Sequence, residues 1–563
     1  MRVDTRAASA PCDDGVVPFD PVRAQAYRAA GWWSGRTLPA ELVAAATAHR
    51  ERVALTTAEV TWTYGELIER SAAFAAGLVR AAGTNPGDAV MFQSGNVAET
   101  VVAYLGCLLA GLRPVCTLPQ HGVREIGLLA AHTGARVLIT QADFREGRLV
   151  GQAAQLQADG AISTVVVARG TAAGCLEFDD LLASGIGADP ADLPYHRVSP
   201  ESVAVFQLSG GTTGLPKVAP RLHEEYAYNS RAWADAMDYR PTSVLLYPLP
   251  VMHNAGISLA VQPAILSGAR LVLAGSADVD VILDLLDRER PDVLPLTPPA
   301  VAVRLLESTR ASASAFRSVR AFVVGGQKLP LEVAERLRDE LGLSVRQMFG
   351  MAEGMFTLTP AHAGEAVRHH TVGAPISAGD EVRVLTIGGE DEVGPGEVGE
   401  LAARGPYTIR GYYRAPAHNE ATFTADGFYR TGDLARRHPG GWYSIEGRIK
   451  DVINRGVEKV HAEEVEELIV GHPAVLTAAL VAMPDPVLGE RACAYLVMEP
   501  GAEDLTPAQL GEYLLSRGLA RYKLPERVEV VPALPLTNVG KVSKKDLRAD
   551  ITAKLAAEAE GSR

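Results

Sequence analysis

Residues 208–217 read LSGGTTGLPK: three glycines, two threonines, a serine and a lysine in ten positions, directly after the apolar run VAVFQ. A glycine-rich turn after a buried strand lets successive backbone N–H groups converge on an anion, and threonine hydroxyls add donors without adding charge. Lys217 supplies a positive point charge at the end of the stretch, so the guest this chemistry suits is a polyphosphate. It is not a Walker loop, because Lys217 is preceded by Pro216 and followed by Val218, and no GxxxxGK[ST] is present. Taken alone, the stretch serves equally well as a flexible surface loop. Two other candidates fail on context. GPGEVG (394–399) formally fits GxGxxG but follows an acidic turn rather than a buried strand. His369 and His370 have no neighbouring ligands at metal spacing and suit surface or packing.

The elements around the loop must hold it in place. The segment 1–38 reads as irregular, with an aromatic patch in YRAAGWW (27–33). Helical stretches at 64–82, 97–110 and 122–134 then alternate with apolar runs at 89–93, 113–118 and 136–140. After a more variable stretch the rhythm resumes with VAVFQL (203–208), VLLYPL (244–249), LVLAG (271–275), DVLPL (292–296), AFVVGG (321–326) and VRQMFG (345–350). Short β-rich runs separated by helices predict parallel sheets covered on both faces. Near residue 370 the texture changes, and 381–405 reads as β-hairpins joined by Gly- and acid-rich turns. Beyond 456, the apolar runs VEELI (465–469), LTAALVAM (476–483), RACAYLVME (491–499) and RVEVV (527–531), with helices at 506–517 and 543–558, form an α+β unit of about 110 residues.

Composition bounds the function. The 563 residues carry 54 Lys plus Arg against 67 Asp plus Glu, a formal charge of −13, which excludes the basic face of a nucleic-acid binder. The five cysteines are scattered without a CxxC, so neither a zinc site nor a disulfide framework is expected, and a reducing, cytoplasmic setting fits. No signal-peptide core opens the chain, and the most apolar helix candidate, 101–112, is too short to span a bilayer; no membrane partner is expected.

Four further motifs follow the glycine loop: QMFGMAEG (347–354), YRTGD (429–433), GRIKDVINRG (447–456) and PLTNVGKVSKKDLR (535–548). In this order and spacing the chain resembles the adenylate-forming enzymes, the family of acyl-CoA ligases, luciferases and the adenylation domains of nonribosomal peptide synthesis. The resemblance covers nearly the whole chain. It implies an α/β fold: a large N-terminal domain of layered α/β sheets with a small β-barrel-like subdomain, and a small mobile α+β C-terminal domain, the two divided as 1–450 and 451–563. It also implies ATP and Mg²⁺.

The same resemblance distributes roles. The loop, as Ser209, Gly210, Gly211, Thr212, Thr213, Gly214 and Lys217, would hold the β- and γ-phosphates. Met348, Phe349, Gly350 and Met351 fall on the adenine side, joined by Gly326 and Gln327, and Glu353 would serve Mg²⁺, whose preference for hard oxygen suits one carboxylate plus phosphates. Asp433 would accept hydrogen bonds from two ribose hydroxyls, and Arg448 would reach the ribose or the phosphate. Lys541 would bridge the attacking carboxylate and the α-phosphate. Asp451 matches the hinge, about which the C-terminal domain swings so that the 450–460 loop lines a channel for a phosphopantetheine thiol. The plainer alternatives are a turn aspartate, a capping acid, a solvated lysine in a basic run and an ordinary interdomain linker.

YRAAGWWSGRTL (27–38), PRLHEEY (220–226), MHNAG (252–256), VVGGQKL (323–329) and ARGPYTIRGYYRAPAHN (403–419) are most similar to free-standing aryl-acid AMP ligases that feed carrier proteins. His253 then counts as catalytic and substrate-binding. Asn254 would bond an ortho hydroxyl or amino group, while also suiting a helix N-cap. Ala255, Leu259, Gly325 and Phe356 complete the acid pocket. Relatives that activate 2,3-dihydroxybenzoate or salicylate carry an aromatic residue and proline where Ala255 and Gly256 stand, and Ser or Cys where Leu259 stands. Opposite Leu259 a 3-hydroxyl would go unpaired at a cost of about 1–3 kcal/mol. The expected substrate is therefore an ortho-substituted aryl acid other than 2,3-dihydroxybenzoate: a salicylate, an anthranilate or a bulkier or bicyclic version. No GG[DH]S carrier motif occurs, so the acceptor is expected in trans, an aryl carrier protein or, as alternative, coenzyme A. A monomer or weak dimer is expected.

Overall fold

The computed structural model describes residues 15–209, 216–455, 458–485, 488–517, 519–537 and 541–561. Two large sheets dominate the first four hundred residues or so. One has nine strands, with Val345–Met351, Ala321–Gly325, Val293–Thr297, Val244–Tyr247, Arg270–Leu273 and Val53–Thr56 parallel side by side, and antiparallel strands on both edges. The other has seven, running Leu176–Glu177, Thr164–Ala168, Val137–Gln141, Ala89–Gln93, Arg113–Val115, Val203–Ser209, Lys217–Leu222, with only the last antiparallel. Ala89–Gln93 and Val137–Gln141 are buried along their whole length, as strands covered on both faces must be.

Helices Tyr64–Ala82, Ala98–Leu109 and His223–Ala236 share one apolar core with strands of both sheets, so they form a middle layer. The first starts on a capping box, Thr63 with Glu66, and stops at Gly83, whose φ of +63° ends the helix in the left-handed region. The strands Glu381–Leu385, Val398–Arg404, Tyr429–Arg437 and Tyr443–Arg448 make the smaller antiparallel unit expected after residue 370. A last sheet starts at Val452 and packs helices Ala462–Val470 and Pro507–Ser516 on a separate core around Ile453, Val465, Leu480, Leu496 and Leu514. Among the described residues no helix is long and apolar enough to cross a membrane.

Three sequence expectations need correction. The first 38 residues are not irregular throughout, because Pro21–Ala29 is a helix whose N-terminal N–H groups at Val22 and Arg23 donate to Asp20. Tyr27 and Trp33 from this segment are buried, and Trp33 Nε1 donates to Pro406 O at 2.8 Å, so the aromatic patch is tied to the chain near residue 406. The stretch between 141 and 203 keeps the β/α rhythm, with helix Arg148–Ala158, strand Thr164–Ala168 and helix Phe178–Gly185. VEELI belongs to helix Ala462–Val470, since a five-residue apolar run does not by itself separate helix from strand.

Candidate active site

Strands Val203–Ser209 and Lys217–Leu222 are antiparallel neighbours, with Ser209 opposite Lys217, so the glycine stretch joins the two strands at one end. Gly210, Gly211, Thr212, Thr213 and Gly214 lie outside the described residues. At its foot, Lys217 Nζ stands 5.1 Å from the Tyr412 ring centroid, and the Ser209 hydroxyl bonds the Tyr412 hydroxyl. Tyr412 also donates to Glu353 and exchanges a 2.9 Å hydrogen bond with the Tyr429 hydroxyl. Desolvation pushes the Lys217 ammonium below its usual range, against the pull of Glu353.

Glu353 is placed by the tight hairpin between Val345–Met351 and Gly354–Leu358, where Met351 pairs with Gly354. Gly354 has φ +121°, and a Cβ there would sit 2.1 Å from Tyr407 O, so only glycine fits. Ile409 N donates to Glu353 O at 2.8 Å, which fixes the hairpin tip against the 403–414 segment. The Glu353 carboxylate is 3% exposed. Among the described residues no group of three or more His, Cys, Asp or Glu side chains is arranged to hold a metal ion. A cation here would therefore rely on this single carboxylate and on phosphate oxygens, which suits Mg²⁺. Met348, Phe349, Gly350 and Met351 run along the strand leading to Glu353.

Asp433 and Arg448 are register partners on neighbouring strands, and Arg448 Nε lies 2.8 Å from Asp433 Oδ1. Burial pushes the Asp433 carboxyl up, while Arg448 and Lys541 pull it down. Lys541 reaches this cluster from the C-terminal unit. Its loop is pinned by Thr537 N donating to Lys541 O at 2.6 Å and by the bridge between Leu536 and Val542. A Cβ on Gly326 would lie 3.5 Å from Lys541 Cε and 4.0 Å from Nζ, ordinary contact distances that place the lysine against this turn; the φ of +89° is what calls for glycine there. Desolvation first, and then the charge of Arg448, pushes Lys541 down to about 8. Gln327 follows in the loop beyond strand Ala321–Gly325.

On the acid side, desolvation and then the Lys541 ammonium push His253 down to about 4, so its imidazole is neutral near pH 7. Its Nδ1 accepts from Ala255 N at 3.3 Å, which leaves the proton on Nε2. The capping position expected at Asn254 is thus filled by His253, and Asn254 sits inside the first turn with its side chain buried. The following turn, Gly256–Val261, is π-helical, and Tyr239 donates to the Leu259 carbonyl at 3.1 Å. Gly256 is required there, because a Cβ would lie 2.2 Å from Val251 O. Ala255 and Leu259 are buried. Phe356 is also buried, edge-on to Trp233 at 5.9 Å and opposite Gly350 in the hairpin register. Gly325 faces Met348, where a Cβ would stand 2.6 Å from Cγ. Asp451 pairs with Arg548 at 3.0 Å, tying the short turn Ile449–Asp451 to helix Lys544–Gly561.

Sequence reasoning missed Arg221, Glu225, Tyr226 and Tyr412. Arg221 is 0% exposed and holds Glu225 through two hydrogen bonds of 2.9 and 2.8 Å. The signal was present as an Arg four residues before a Glu inside the apolar context VAPRLHEEY, but its burial was not legible.

Comparison with known proteins places this geometry. The AMP-binding enzyme family matches residues 42–413, and the AMP-binding enzyme C-terminal domain matches 464–541. The chain is 41% identical over 534 residues to pyochelin synthase PchD of Pseudomonas aeruginosa, covering 95% of this chain and 96% of the relative. It is 40% identical over 548 residues to a salicylyl-CoA synthase / salicylate adenylyltransferase of a Streptomyces species, covering 95% and 97%. The apo structure of MbtA from Mycobacterium smegmatis superposes with a TM-score of 0.72 at 36% identity, over 95% of this chain and 99% of that one. With both halves of the family's architecture matched in order, the chain belongs to the adenylate-forming AMP-binding enzymes.

Proposed function

We propose that this protein activates an ortho-substituted aromatic carboxylic acid with ATP, releasing pyrophosphate and forming the aryl-AMP, and then passes the aryl group to a phosphopantetheine thiol of a carrier protein supplied in trans. The acid is of the salicylate or anthranilate type, with room for a bulkier or bicyclic ring. The observation that carries this reading is the approach of Lys541 to Gly326, beside Asp433 and His253, from a different unit of the chain.

The chemistry needs a carboxylate oxygen to bond the α-phosphorus while the bond to pyrophosphate breaks in line, so positioning and charge stabilisation carry most of the catalysis. Lys541 neutralises charge that grows between the acid and the α-phosphate. Neutral His253 donates from Nε2 to the acid's carboxylate. Asp433, steadied by Arg448, accepts from the ribose hydroxyls. The glycine stretch with Lys217 holds the phosphate tail, with Glu353 next to it. Mg²⁺, when bound, supplies charge neutralisation of the leaving pyrophosphate. Residues 1–450 act as the core and 451–563 as the mobile unit hinged at Asp451, in a cytoplasmic enzyme that works as a monomer or weak dimer.

The activity named for the Streptomyces relative, salicylyl-CoA synthase / salicylate adenylyltransferase, supports the acid class, and it keeps coenzyme A as the second reading for the acceptor. ATP–pyrophosphate exchange over a panel of aryl acids tests the first half-reaction, with exchange expected for salicylates, anthranilates or bicyclic acids above 2,3-dihydroxybenzoate. The reverse order overturns the pocket reading. Offering carrier protein and coenzyme A separately decides the acceptor.

A further inference from the structure

Asn254 stands at the centre of a buried polar knot. Arg221 Nη1 points at Asn254 Oδ1 from 3.4 Å, and the Tyr226 hydroxyl donates to the same oxygen at 2.9 Å. Gln207 Nε2 donates to the Tyr226 hydroxyl at 3.0 Å, so the tyrosine's own proton is directed at Asn254. Arg221 is itself locked, with Glu225 accepting two bonds, Asn229 Oδ1 at 3.2 Å, Ala352 O at 3.0 Å and Tyr407 O at 3.1 Å. A guanidinium has donors and no acceptor. Whatever faces it must accept, so the Asn254 carbonyl is turned toward Arg221 and the NH₂ away from it. On that far side, Nδ2 meets only Met351 O, at 3.5 Å, among the described residues.

The geometry points to Arg221 and Tyr226 as positioning residues that turn Asn254 into a hydrogen-bond donor, so that the site favours 2-hydroxy aryl acids over their 2-amino counterparts. This rests on the aryl-acid reading above, in which Asn254 meets the ortho substituent. In a 2-hydroxy acid the phenolic proton bonds internally to the carboxylate, and the oxygen keeps an outward lone pair for the Asn254 NH₂. In a 2-amino acid one N–H bonds the carboxylate and the other points outward, while the nitrogen lone pair is drawn into the ring. Two donors then face each other, and neither can turn, because the carboxylate holds one and Arg221 the other. The Asn254 side chain could rescue the amino acid only by flipping its oxygen outward, which would set NH₂ against the guanidinium.

The test is pyrophosphate exchange on matched pairs: salicylate against anthranilate, and 3-hydroxy-2-naphthoate against 3-amino-2-naphthoate. The wild-type chain should prefer the hydroxy member of whichever pair fits by at least about tenfold in kcat/KM, the loss expected when a donor is left unpaired. Asn254→Asp, which presents an acceptor outward while still accepting from Arg221 and Tyr226, should shift that ratio toward the amino acid. Tyr226→Phe, which frees one hold on the carbonyl, should shrink it. Exchange that runs on the pairs with equal or better use of the amino member overturns this inference and leaves the aryl-acid reading standing. Exchange confined to aliphatic or amino acids overturns both. The wild-type ratio needs no variant to fold.

Discussion

Arg448 and Asp433 face each other across two antiparallel strands, with the guanidinium Nε 2.8 Å from the carboxylate Oδ1. The pair holds one carboxylate oxygen and leaves the aspartate's orientation set before any nucleotide arrives. Asp433→Ala should therefore raise the KM for ATP by about 10- to 100-fold, the range for a lost hydrogen bond to a charged group, with a smaller effect on the KM for the acid. Exchange kinetics with each substrate varied in turn will show it. An unchanged ATP dependence would remove Asp433 from the ribose.

In the proposed reaction Lys541 serves the adenylate-forming half and not the transfer half. Lys541→Ala should lower aryl-AMP formation by about 10²- to 10³-fold or more, as removal of a charge-stabilising donor does. Transfer from a preformed aryl-AMP to the thiol should survive. Single-turnover assays of each half separate the two, and equal loss of both would contradict the role.

The same lysine predicts a proton count. Desolvation and Arg448 hold its ammonium at about 8 against a usual 10.5, and bound phosphate and carboxylate charge pulls it back up. Between those two values, binding of a non-hydrolysable ATP analogue with the acid should take up a proton. Calorimetry in buffers of different ionisation enthalpy measures the uptake, and Lys541→Ala should abolish it. Uptake that persists in that variant places the proton elsewhere.

Glu463 gives a second pH dependence, at the contact between the C-terminal unit and the core. Its carboxyl carbon would lie 3.7 Å from a Cβ on Gly447, and burial pushes it up to about 7, eased by Lys544 and Lys328 and reinforced by Glu466 and Asp433. If the unit swings as proposed, the carboxyl leaves its buried place and should return toward 4.5. The closed arrangement binds the proton more tightly, so its advantage is complete below about 4.5 and is lost as pH rises through about 7. The distance between fluorophores on core and C-terminal unit should lengthen on average across that window, and Glu463→Gln should flatten the change. A pH-independent distance in the unmodified chain would count against the latch.

Much of the site was legible as spacing. LSGGTTGLPK, QMFGMAEG, YRTGD and the Gly540–Lys541 pair can be read from sequence as a proposed anion cradle, an acid, a second acid and a delivered cation, because the residue types each needs stand within a few positions; 210–214 and Gly540 themselves lie outside the described residues. The β/α rhythm was legible for the same reason, since burial on both faces leaves continuous apolar runs such as VLITQ. Less legible were elements marked by weak contrast: the strap helix Pro21–Ala29, and the strand Thr164–Ala168 between variable segments.

The chain alone determined which residue types are available and in what order, because loops and strands are written in short stretches. Only the tertiary structure decided which of them meet. Lys541 and Gly326 are far apart in sequence, and their approach depends on how the C-terminal unit sits on the core. Arg221 looks like any surface arginine until burial strips its water and forces every neighbour to accept from it, and that constraint, made by packing rather than by motif, sets which way Asn254 reads the substrate.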